Sequence, residues 1–175
     1  MELLRITRTA KSSAVKAHTV CINALRAALV PAPPPLRDQF QALTPLGLIK
    51  KCAALRAGDN AVEAGTKRIL RSLAHRYQHL TAEARALEQI LTELTQQTNS
   101  ELLAAFGVGP DTAAALLIAA GDNPERVITE ARFAAICGTN PIPASSGQTD
   151  RMRLNRAGDR QANAALPPHR GCPTR

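Results

Sequence analysis

Read for its apolar positions, the chain divides into stretches of helical period punctuated by proline and glycine. Val15, His18, Ile22, Leu25 and Leu29 are spaced 3, 4, 3 and 4. A seam with that repeat predicts a helix. Pro31 ends it, and "PAPPP" (Pro31 to Pro35) is expected to be a stiff linker that no helix crosses, because proline lacks an amide hydrogen and clashes with the preceding turn. Short helices are expected over Leu36 to Leu43 and Leu46 to Leu55, parted by Thr44-Pro45, with a turn at "AGDN" (Ala57 to Asn60). The second seam is longer. Leu70, Leu73, Tyr77, Leu80, Ala84, Leu87, Leu91 and Leu94 are spaced 3, 4, 3, 4, 3, 4 and 3, which predicts one helix from about Ala61 to Gln97. Its apolar edge needs cover. The first seam helix lying antiparallel could supply it, as could a second copy of the chain.

After Thr98 the periods shorten. Glu101 to Phe106 reads as a short helix, broken at Gly107-Val108-Gly109-Pro110, and Asp111 to Ala120 as a second with Pro110 in its first turn. Thr129 suits the cap of a third, ending at Gly138. A Pro/Ser/Gly loop follows, then a basic segment whose alternation at Arg151 and Arg153 suits extended chain. Gly158-Asp159 opens a last helix to Leu166. The final "PPHRGCPTR" has no period and is expected to be disordered. The expected fold is all-α, with a heptad (coiled-coil) region over residues 1–98, a small helical domain over 99–166 and a tail over 167–175.

Composition sharpens this. Apolar residues make up 45% but aromatics only 2%. A core built mainly of Ala and Leu suits close-packed helices better than sheets. The net charge is +8, which favours polyanionic partners. It is also uneven. Met1 to Val30 carries Arg5, Arg8, Lys11, Lys16 and Arg26 against Glu2. Ser145 to Arg175 carries Arg151, Arg153, Arg156, Arg160, Arg170 and Arg175 against Asp150 and Asp159. The two basic ends would make one groove if they folded together. Cys21, Cys52, Cys137 and Cys172 show no metal-type pairing and are expected as free thiols. No run approaches the ~20 apolar residues that span a bilayer, and no signal peptide is visible. The expectation is an intracellular protein with no membrane partner.

Three stretches bear on chemistry. "LLAAFGVGPDTAAALLIAAG" (Leu102 to Gly121) has the form of a helix-hairpin-helix. Gly107, Val108 and Gly109 would make the tight reversal, and the amides opening the second helix could hold a phosphate oxygen. An ordinary turn between two helices would look the same. "HRYQH" puts His75 and His79 one helical turn apart, a metal-ligand spacing. Both lie off the seam without a third ligand, so a solvated pair is expected and no metal site is assigned. "NPIPASSGQTDRMRLNR" (Asn140 to Arg156) carries paired hydroxyls ahead of arginines. A serine needs a base or a cationic setting to act as a nucleophile. Arg151, Arg153, Arg156 and Arg160 supply the setting, and arginines stabilise a phosphoryl transition state. A polar turn is the plainer account of the same residues.

The stretch running from "FGVGPDTAAALL" through "IAAGDNPERVITEARFAAICGTNPIPASSGQTDRMRLNRAGDRQANAAL" resembles the C-terminal domain of transposases of the insertion-sequence-110 family, grouped with 116 and 902. The family's glycine hairpin, "GD" turn, "G-x-x-P" segment, serine before glycine and basic "G-(D/N)-R" helix occur in order. The upstream "SSAVKAHTVCINALRAALVPAPPPLRDQF" looks like its middle region. The resemblance implies a DNA recombinase that works with an element-encoded guide RNA and self-associates through its heptad helices. It implies a serine that attacks a DNA phosphodiester: Ser146, which precedes Gly147, with Ser145 as the fallback. The implied phosphate contacts are Gly107, Val108, Gly109, Arg151, Arg153, Arg156 and Arg160. It also implies a cytoplasmic, nucleoid-associated setting. The family's N-terminal acidic domain binds a divalent metal, yet Glu2 and Asp38 are the acids of the first 58 residues. Family members also continue in helix past the position of Leu166. The chain is therefore expected to be a fragment, with Mg2+ bound only where the acidic domain is supplied. The alternative is a catalytically dead nucleic-acid-binding or self-associating remnant.

Overall fold

An Ala/Leu-rich chain with few aromatics folds as helices. A computed structural model describes residues 1–56, 58 and 61–166. Among these, α1 (Glu2–Leu29), α2 (Pro34–Arg37), α3 (Pro45–Ala53) and α4 (Ala61–Thr98) precede α5 (Ser100–Ala104), α6 (Pro110–Ala120) and α7 (Glu130–Cys137). A two-stranded hairpin, β1 (Ile142–Pro143) and β2 (Met152–Arg153), leads to α8 (Arg160–Ala165). The class is all-α, as expected. The hairpin and the 3-10 turns at Asp38–Phe40 and Pro124–Val127 were not anticipated. No helix among the described residues is long and apolar enough to cross a membrane. The expected tail at 167–175, and the turn at 57–60 apart from Gly58, lie outside the described residues.

The chain forms two compact units. One is Thr9–Leu87; the other joins Met1–Arg8 to the chain from Glu88 onward. In the first, α1 and α4 pack antiparallel. The Cys21 thiol donates to the Leu73 carbonyl at 3.1 Å, and the His18 and Tyr77 rings lie 4.1 Å apart. Leu25, Leu36, Cys52 and Leu70 are wholly enclosed in one core with Phe40, Ile49 and Ala74.

Val15 is 43% exposed, and the buried line of α1 runs through Ala14, Cys21, Leu25 and Leu29, continuing toward the N-terminus through Lys11, Thr7 and Leu4. The 3-and-4 spacing holds, but small and polar residues occupy half of it and conceal it from an apolar count. No helix crosses the proline linker: α1 ends at Leu29, and Pro34 and Pro35 form the first turn of α2, where no amide hydrogen is needed.

The second unit is organised by α6. Its sequence is apolar all round, which suits a helix enclosed on several sides. Ala114 packs with Leu4 and Leu91. Leu116 and Ala119 pack with Cys137 of α7 and Ala162 of α8.

Candidate functional site

The serine hairpin is held at its base, by the end of α7. Gly138, at φ +69, closes that helix in the left-handed conformation that glycine adopts without strain. Its amide donates to the Ala135 carbonyl at 3.2 Å, and the Thr139 amide to Ala134 at 2.9 Å, a Schellman arrangement. The other orphan carbonyls are taken from farther along the chain. Asn155 Nδ2 donates to Ala135 (3.3 Å), the Asp159 amide to Ile136 (2.8 Å) and Asn163 Nδ2 to Cys137 (2.9 Å). All four of the last helical carbonyls thus find donors, which a helix end of this kind requires. Asn155 Nδ2 also donates to Asn140 Oδ1 at 2.7 Å, closing the hairpin at its neck. Gly158 must be glycine: a Cβ there would lie 2.3 Å from the Gly138 Cα. Asp159 caps α8, accepting from the Gln161 and Ala162 amides at 2.7 and 2.9 Å. Burial, and then the Asp159 carboxylate, push the Cys137 thiol above its ordinary pKa, so it stays protonated.

The arms pair Ile142 with Arg153 and Pro143 with Met152, and Ser146 bridges Thr149 at the tip. The Ser146 amide donates to Thr149 at 3.1 Å and the Thr149 amide to Ser146 at 2.8 Å. Side chains alternate along a ladder, and cross-strand partners share a face. Between these pairs the Ala144 amide donates to the Arg151 carbonyl at 2.8 Å. The Ser145 hydroxyl accepts from the Arg151 amide at 3.3 Å, a tie within the hairpin. Both serines are exposed, as are Arg151, Arg153, Arg156 and Arg160. None of these four arginines forms an ion pair with a carboxylate among the described residues.

At the α5–α6 turn, Gly107 has φ +80 and carries the reversal. Gly109 does not need glycine's freedom: its φ is −87, and a Cβ there meets nothing within 4 Å. Asp111 puts a carboxylate in the first turn of α6, where it accepts from Arg8 Nε at 3.2 Å. Arg8 Nη1 also donates to Gln161 Oε1 in α8. Arg8 thereby joins the starts of α6 and α8. Of the basic N-terminal residues in this unit, Arg5 pairs with Glu2 at 2.6 Å and Arg8 with Asp111.

Sequence reasoning missed Arg8, Asn140, Asn155 and Asn163. Asn163, an amide inside an Ala-rich helix, was the available signal. His75 and His79 are exposed, with His75 Nδ1 3.3 Å from Gln78 Oε1. Among the described residues no three His, Cys, Asp or Glu side chains converge where a metal ion could sit. They do not fit Mg2+, which the family resemblance implies only where the acidic domain is supplied. Cys21, Cys52 and Cys137 are buried free thiols.

No curated protein and no solved structure matches the chain. Residues 99–167 match the family model described as "Transposase IS116/IS110/IS902 family".

Proposed function

From the premise that residues 99–167 are a domain of the transposase IS116/IS110/IS902 family, we propose that the chain is part of a mobile-element DNA recombinase with Ser146 as its nucleophile. The Ser146 Oγ attacks a DNA phosphorus. A serine–phosphate ester forms as the P–O bond to one sugar oxygen breaks; the hydroxyl proton passes to water, and the departing sugar oxygen takes a proton from water and leaves as a hydroxyl. Bond type is conserved, so attack by a second strand end reverses the step and joins new partners. Arg151 and Arg153 neutralise the phosphoryl oxygens, and Arg156 and Arg160 hold flanking phosphates. Asp111 at the start of α6 is paired with Arg8, and the backbone at Gly107, Val108 and Gly109 offers amides to a further phosphate oxygen. Guide RNA and a second protomer belong to this reading through the family.

The observation that supports it is the exposed hairpin itself, which bridges Ser146 to Thr149 at its tip and carries Arg151 and Arg153 on its return arm. The test is a denaturing gel. The chain is mixed with Mg2+, the element's RNA, a duplex bearing the element's junction, and a full-length family member whose own serine is alanine. A covalent protein–DNA adduct is expected, and it should vanish with Ser146→Ala but persist with Ser145→Ala. The opposite pattern would move the nucleophile. Salt-sensitive binding with no adduct would leave a nucleic-acid-binding module.

A further inference from the structure

In the unit Thr9–Leu87, a cleft of about 350 Å3 opens beside the first turns of α4. Ala61, Ala64 and Gly65 lie on one face of that helix and, being small, leave the recess. Its other lining is cationic. Arg56 comes from the segment after α3, and Lys67, Arg68 and Arg71 from the next turns of α4. The two sides are tied together: Arg71 Nη1 donates to the Leu55 carbonyl at 3.4 Å, and Leu55 packs on the core. Lys67 is neutralised by Glu63 at 2.6 Å. Among the described lining and its partners, Arg56, Lys67, Arg68 and Arg71 stand against Glu63, an excess of positive charge.

Gly65 adds a second observation. Glycine weakens a helix interior relative to alanine, yet a Cβ at Gly65 would meet nothing within 4 Å. Packing does not ask for glycine there. Its effect is to leave helix backbone bare inside a cationic recess, which is what close approach of a ligand uses.

We infer that this cleft binds a phosphate group, carried either by a nucleotide-sized molecule or by a nucleic-acid strand. Guanidinium forks match phosphate oxygens in pairs. The start of a long helix contributes potential of the same sign. The volume lies at the lower end of the roughly 300–1,000 Å3 of small-ligand sites. The site shares no residue with the serine hairpin, so either reading can fail without the other.

The test is an NMR titration of the full chain with adenosine monophosphate and, separately, with dodecathymidylate at low salt. Saturable shifts are expected at the amides of Ala64 to Arg71. Gly65→Glu should abolish them and leave any shifts at Arg151 to Arg160 in place. Arg68→Ala, an exposed change that keeps the helix, should weaken binding about tenfold. A response to the mononucleotide identifies a free ligand, and a response to the oligonucleotide alone identifies a strand. Silence at Ala64 to Arg71 with both probes, or shifts untouched by Gly65→Glu and Arg68→Ala, overturns the inference.

Discussion

The helical unit Thr9–Leu87 and the segment from α7 to α8 are held by different forces. In the first, wholly buried side chains (Leu25, Leu36, Leu70) fill a single core, and apolar transfer supplies the stability. In the second, Cys137 and Ala162 are the fully enclosed side chains. Shape comes from donors that Asn155, Asp159 and Asn163 bring to the carbonyls ending α7. Leaving such groups unmet costs more than meeting them gains. The contrast shows how an exposed hairpin tip can be positioned: its base is over-determined, so its tip needs no packing.

The sharpest way to break the contrast is Leu70→Ala. It should cost about 3 kcal/mol and lower the thermal midpoint of the helical unit. Hydrogen exchange at the Asp159 and Thr139 amides should be little changed; an equal loss there would show that the two regions unfold together. Gly158→Ala comes next. Driving a methyl into Gly138 should cost about 2 kcal/mol, read as lost protection of the Asp159 amide with the helical core intact. Asn155→Ala, which removes the neck bond, should cost about 1 kcal/mol in denaturant unfolding while reducing adduct formation much more.

A pH scan tests the helical unit alone. Burial raises the Cys52 thiol to about 11, against the opposing charge of Lys51. Its folded pKa lies above the unfolded value of 9.0. The associated stability is therefore complete below pH 9.0 and lost as pH rises toward about 11. Cys52→Ala should flatten that alkaline loss in urea melts taken across the window. The smallest effect on stability belongs to Ser146→Ala, within about 0.5 kcal/mol by thermal melt, so that any lost adduct reports chemistry.

Much of the fold was legible because periodicity and caps are local. Thr129 caps α7 through the Arg132 amide, and Asp159 caps α8, both from side chains beside their helices. The N-terminal half of α1 was hidden because Thr7, Lys11 and Ala14 occupy its buried line. The hairpin was read only as a loop with an extended exit, since each arm has two residues of regular strand. Its ties join residues far apart in sequence: Asn155 reaches Ala135 and Asn163 reaches Cys137. No window of sequence holds both ends of such a bond.

The neck between Asn140 and Asn155 also bears on how this arm can change by insertion and deletion. The anchoring lies at the base, and a Cβ at Gly147 would meet nothing within 4 Å, so extra residues at the tip would leave the anchors alone. Parity would then decide their fate. Two residues added to each arm beyond the neck lengthen the reach and keep the pairing in step. One residue added between Ser146 and Arg151 shifts the pairing by a step and exchanges the faces of one arm against the other. Length variants of this arm should therefore tolerate paired steps and lose function with single ones.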